Sequence, residues 1–176
     1  MEISLLTNKC TLIPSQFFEQ SSARETLARV CRLHDDDSVA SVDVPQYGAV
    51  LVFCDRCDDT VAKYIIDNGN SAGQTLARPD LYYVLKGLPE CPEYNKILCS
   101  WKEGVLSLAI AQGKSLLLAN VWQAADFTTA EYYIFLAMKS LQLNPEVSTI
   151  CWMGKLSSDE EMSLYRYFKS VETARQ

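Results

Sequence analysis

Residues 99 to 120, "CSWKEGVLSLAIAQGKSLLLAN", constrain the fold more than any other stretch. Apolar residues here run in strand-length segments that break at Lys102-Glu103-Gly104 and again at Gln112-Gly113-Lys114. Such short polar breaks join neighbouring antiparallel strands and leave no room for crossover helices. The spacing predicts strands over Lys96 to Trp101, Val105 to Ala111 and Ser115 to Trp122. Whatever the rest of the chain does, it has to pack against this meander.

A helix signal follows directly. Thr128-Thr-Ala-Glu131 reads as a capping box, and Ile134, Met138 and Leu141, with Phe135 and Ala137 alongside, repeat at the helical period up to Asn144-Pro145. Thr149 to Met153 is an apolar strand ending at Gly154, and Ser157-Ser-Asp-Glu160 caps a last helix whose apolar stripe is Tyr165, Phe168 and Val171. The order is three strands, helix, strand, helix, an α/β arrangement on a mixed sheet.

The N-terminal part alternates strand and helix signals. Lys9 to Ile13 predicts a strand, Ser15 to Glu19 a short turn or helix, and Ser22-Ala-Arg-Glu25 a capping box. That box opens a helix burying Ala23, Leu27, Val30 and Cys31. "DDDS" at 35 to 38 is a solvated turn, and Val39 to Val44 with Ala49 to Phe53 form an antiparallel pair across Pro45 to Gly48. Asp58 to Asp67 reads as a helix, 68 to 73 as a loop, Gln74 to Ala77 as a short strand and Asp80 to Lys86 as a helix. "GLPECPEYN", 87 to 95, is the candidate boundary, giving domains of 1–90 and 91–176.

Composition excludes some functions. With 48% apolar and 22% charged residues in 176, the chain is globular, and its net charge of −6 with scattered basic residues argues against a nucleic-acid interface. The N-terminus "MEISLLTNKCTLIP" makes neither a signal peptide nor a membrane span, so the expectation is a cytoplasmic protein without membrane insertion. Seven irregularly spaced cysteines, mostly within apolar runs, fit reduced and buried thiols better than a disulfide framework.

Four groups are candidates for chemistry. Cys54-Asp-Arg-Cys57 places two thiols after a strand, as a thiol oxidoreductase would, although Asp55, Asp58 and Asp59 oppose a thiolate there. His34, the one histidine, would have to serve any Cys-His, Ser-His or zinc-histidine site, and its setting "RLHDDD" reads as surface. The run Asp35 to Asp37 lacks the spacing of a calcium loop. Trp101, Trp122, Trp152 and Tyr132-Tyr133 offer faces for a purine, and their ordinary use on such a scaffold is packing.

"KSLLLANVWQAADFTTAEYYIFLAMKSLQLNP" with "ICWMGKL", and upstream "CTLIPSQFF" with "VDVPQYGAVLVFC", resemble an uncharacterised bacterial family, a domain of unknown function with an actin-like ATPase fold. The resemblance spans nearly the whole chain. It implies two ribonuclease-H-like halves, distantly similar to the actin homologues of pilus assembly and cell division. It also implies that 1–90 is a first half lacking its leading pair of strands. Active members carry an Asp-x-Gly turn in each half for phosphates and metal, and a glycine pair at the adenosine. Here the second-half turn is Ser100-Trp101-Lys102-Glu103-Gly104, with one glycine and no aspartate, and one glycine, Gly154, stands at the adenosine position.

The resulting expectation is a non-catalytic scaffold or protein-binding protein that needs no cofactor. A sheet edge left open by the missing strands predicts a protein partner or a homodimer. The alternative is binding of ATP or ADP with Mg, with weak or no hydrolysis, in a cleft between the halves beside Lys102, Glu103, Gly104 and Gly154. The other alternative is thiol chemistry at Cys54 and Cys57.

Overall fold

The computed structural model describes residues 2–56, 62–66 and 76–174, with side chains over 3–55 and 76–174. They fall into two compact units, Met1–Tyr82 and Tyr83–Gln176.

The first unit holds β1 (Glu2–Leu6), β2 (Cys10–Pro14), the short helix α1 (Ala23–Ala28), β3 (Ser38–Val44), β4 (Ala49–Arg56), β5 (Ala62–Ile66) and β6 (Leu76–Pro79), and α2 (Asp80–Gly87) follows directly. Two three-stranded sheets result, ordered β2-β4-β3 and β5-β1-β6. β4 is central because it can be: Val50, Leu51, Val52, Phe53 and Cys54 are all at most 4% exposed. A run apolar on both faces has to be covered on both. Its neighbours pair with it antiparallel, and α1 sets Ala23 and Leu27 against Val50, Val52 and Cys54.

Four expectations are corrected here. Within the predicted helix over Asp58 to Asp67, Ala62–Ile66 is instead the strand β5, antiparallel to β1 in the register Ile3↔Ile65, and the rest of that stretch lies outside the described residues. β-branched and aromatic residues in Tyr64-Ile65-Ile66 favour the strand once β1 supplies a partner. The Ser22/Glu25 capping box does not form, since the Ser22 hydroxyl donates back to the Glu19 carbonyl. α1 therefore spans only six residues, and Val30, beyond its end, is 61% exposed. The predicted solvated turn hides one aspartate: Asp37 is buried, and its carboxylate binds Lys9 Nζ at 3.1 Å and the His34 N–H at 2.9 Å.

The second unit carries β7 (Asn95–Lys102), β8 (Val105–Gln112), β9 (Ser115–Gln123), α3 (Phe127–Ser140), β10 (Thr149–Met153), α4 (Ser158–Tyr165) and β11 (Ser170–Ala174). The five strands form one mixed sheet, β11-β10-β7-β8-β9. The predicted meander pairs antiparallel, and β10 lies parallel to both β7 and β11. α3 covers one face, where Ile134, Ala137 and Met138 meet Ile97, Cys99, Leu106, Leu108 and Trp152.

Two helix details differ from the sequence reading. The N-cap of α3 is Asp126, whose carboxylate accepts the Thr129 N–H at 2.7 Å, so Thr128 and Glu131 lie inside the helix and do not cap it. The last helix ends at Tyr165, and Val171 belongs to β11, aligned with Ile150. The predicted Ser157/Glu160 capping box at α4 is present with both of its hydrogen bonds.

Candidate functional site

The β7–β8 register pairs Lys102 with Val105, which leaves Glu103-Gly104 as a two-residue hairpin loop. Both have positive φ, 48° and 75°, as the turn that matches strand twist requires. Glycine suits the second position because it carries no Cβ to strain there. The chain leaving β9 closes against this turn. Ala124 N donates to the Gly104 carbonyl at 2.7 Å, and the Trp101 indole N–H donates to the Ala124 carbonyl at 2.9 Å. A Cβ on Gly104 would stand 3.5 Å from that same carbonyl oxygen.

Gly154 follows β10 with φ +102°, and a Cβ there would lie 4.0 Å from Lys102 Cε. The parallel strands β7 and β10 end at Lys102 and Met153. The sequence-predicted residues Lys102, Glu103, Gly104 and Gly154 therefore assemble at one end of the sheet, beyond the carboxyl ends of two parallel strands, the usual position for ligands on α/β sheets. The turn offers an ammonium and a single longer acid; Lys102 and Glu103 both already have interactions of their own.

The predicted aromatic rings serve packing, and Trp101 also borders the turn through its bond to Ala124. Trp101 packs edge-on to Phe127 at 5.7 Å, Trp122 stacks on Tyr133 at 5.4 Å, and Trp152, 1% exposed, meets Phe127 at 5.6 Å. These rings are part of the hydrophobic interior or its rim. His34 is exposed, and its backbone serves Asp37 and Arg24. Cys54 is fully buried and disulfide-bonded, which departs from the expected reduced state; Cys57 lies outside the described residues. Among the described residues no group of three or more His, Cys, Asp or Glu side chains is placed to hold a metal ion.

Sequence reasoning missed two pairings. One is Lys9 with Asp37, whose carboxyl is held below its ordinary range by the His34 N–H and then by Lys9. The other is Cys91 with Cys151, which line one cavity and perturb each other's ionisation. Neither pair is close in sequence, and no motif marks them.

Comparison with known proteins agrees with this architecture. A crystal structure of a Bacteroides thetaiotaomicron protein with an actin-like ATPase fold and unknown function superposes with a TM-score of 0.69 at 17% identity. The match covers 95% of this chain and 65% of that one, so the chain spans less than two thirds of that protein's length. The fold is thus actin-like; an identity this low carries nothing about activity. No curated protein matches the chain. No helix among the described residues is long and apolar enough to cross a membrane. The family model described as "Protein of unknown function (DUF3822)" matches residues 2–171, and the chain belongs to that family.

Proposed function

We propose that this protein is a non-catalytic, actin-like scaffold or protein-binding protein of the cytoplasm, working without a cofactor. The observation that carries the reading is the Lys102-Glu103-Gly104 turn. It lacks the aspartate that would organise metal and water, and the chain at Ala124 already engages the Gly104 carbonyl. Two features support a protein partner or a second copy of the chain. Among the described residues β9 pairs with β8 alone, leaving its outer edge open, and α3 exposes Tyr132 and Leu136 one helical turn apart. With a net charge of −6, nucleic acid is a poor partner.

A second reading, binding of ATP or ADP with Mg but little or no hydrolysis, is favoured by the approach of Lys102 to Gly154 beyond the strand ends. Thermal denaturation with and without Mg-ATP or Mg-ADP separates the two. A binder at a hundred times its dissociation constant gains about 2.7 kcal/mol of stability. The scaffold reading expects no shift at millimolar nucleotide; a saturable shift that disappears in Lys102→Ala establishes the nucleotide site instead.

A further inference from the structure

We propose that Cys91 and Cys151 form an oxidisable dithiol, reached by hydroperoxides through a cavity they share, which closes to a disulfide between the connection after α2 and the strand β10. The cavity measures about 350 Å³ and lies within the second unit. Its lining includes Gly87, Glu90, Cys91, Cys151, Glu172 and Ala174.

The fold brings the two cysteines to one cavity from distant parts of the chain. After α2, a 3-10 turn over Leu88–Glu90 ends at Cys91, whose N–H donates to the Leu88 carbonyl at 3.2 Å. Lys96 Nζ holds this bend by donating to the carbonyls of Pro89, at 3.0 Å, and Cys91. From the other side, Cys151 is aligned with Leu98 on β7 and Glu172 on β11, while its neighbour Trp152 takes the opposite face under α3. Close approach of the α2 end to this face is possible because residue 87 is glycine: a Cβ there would meet Leu98 and Met153 at 3.2 and 3.4 Å.

The two thiols are coupled: burial and Glu172 oppose a thiolate on either sulfur, the Lys96 charge favours it, and one thiolate disfavours the second. Ionisation therefore stops at one thiolate, which attacks while its partner keeps its proton. The attack is assigned to Cys91, whose own carbonyl accepts from Lys96 Nζ.

The chemistry balances with one hydroperoxide. The Cys91 thiolate attacks a peroxide oxygen, the O–O bond breaks, and the leaving oxygen takes up the proton lost by Cys91 to depart as water (or as an alcohol). Cys91 is left as a sulfenic acid, oxidised by two electrons as the peroxide is reduced. The Cys151 sulfur then attacks the Cys91 sulfur; the S–S bond forms, the S–OH bond breaks, and hydroxide leaves with the Cys151 proton as a second water. Two thiols and one hydrogen peroxide give one disulfide and two waters.

Hydrogen peroxide titration of the full chain, followed by non-reducing peptide mapping by mass spectrometry, tests this. The expected product is a dithiothreitol-reversible cross-link between the Cys91 and Cys151 peptides. It should form at least ~10-fold faster than modification of Cys10 or Cys99, which burial raises, Cys10 to about 12. Cys151→Ser should leave a Cys91 sulfenic acid captured by dimedone, and Cys91→Ser should abolish both products. Oxidation of the wild-type chain that falls first on Cys10, Cys31 or Cys99, or that leaves Cys91 and Cys151 as thiols, overturns the proposal without reliance on either variant.

Discussion

Asp37 shows how far a single residue departs from its local sequence. Its two predecessors, Asp35 and Asp36, are exposed, yet Asp37 is buried, bound to Lys9 and to the His34 N–H, while its own carbonyl and that of His34 take the Arg24 guanidinium. "DDDS" reads as a solvated turn because nothing in those four residues announces Lys9, which arrives from the far side of α1. Since the folded-state pKa of Asp37 is lowered, its ionised form favours folding above the unfolded carboxylate value of ~3.9. That contribution fades as pH falls through the unfolded and then the folded value. Asp37→Asn is therefore expected to lower the melting temperature at about pH 7 and to cost progressively less towards about pH 3. An equal loss at both pH values in thermal melts would show that the charge is not what stabilises this turn. At the candidate site, by contrast, the Glu103-Gly104 turn was legible in the sequence, because short turns carry their own backbone rules.

Secondary-structure elements divide by where their stabilisation comes from. β7, β8, β9 and α3 were readable because antiparallel neighbours joined by two-residue turns and a long amphipathic helix advertise themselves locally. The exact match of the α4 capping box has the same origin. β5 and β11 were not readable, since each becomes a strand only through a ladder with β1 or β10, and parallel pairing such as that of β11 leaves no hairpin signal. The helix that matters most for the second unit is α3. Ile134→Ala, at a fully buried position facing the sheet, is expected to cost about 2 to 5 kcal/mol. Leu136→Ser, on the exposed face of the same helix, should change stability by no more than ~0.5 kcal/mol. Urea unfolding of the two variants checks the contrast, and similar losses for both would mean that the outer face of α3 is also covered.

At the scale of the whole molecule, an actin-like fold persists at 17% identity to a solved relative, which is what burial patterning permits when the pattern survives and the residues change. Among the described residues β9 has no second neighbour, and that edge is partly guarded, since a register shift between Ile110 and Ala111 introduces a bulge near its start. Beyond that bulge the edge from Leu118 to Gln123 is regular. Self-association through it predicts a dimer by light scattering at tens of micromolar. A monomeric mass there removes self-association and leaves a different protein as the partner. Sequence by itself determined the meander, the helix that covers it, the two-residue turn at Glu103-Gly104 and the lack of an Asp-x-Gly motif in it, because each is written within a few consecutive residues. Only the tertiary structure decided that β5 and β11 are strands, that Asp37 is buried, and that Cys91 and Cys151 line one cavity. Those outcomes depend on groups far apart in the chain, whose mutual desolvation and hydrogen bonding exist only once the sheets have formed.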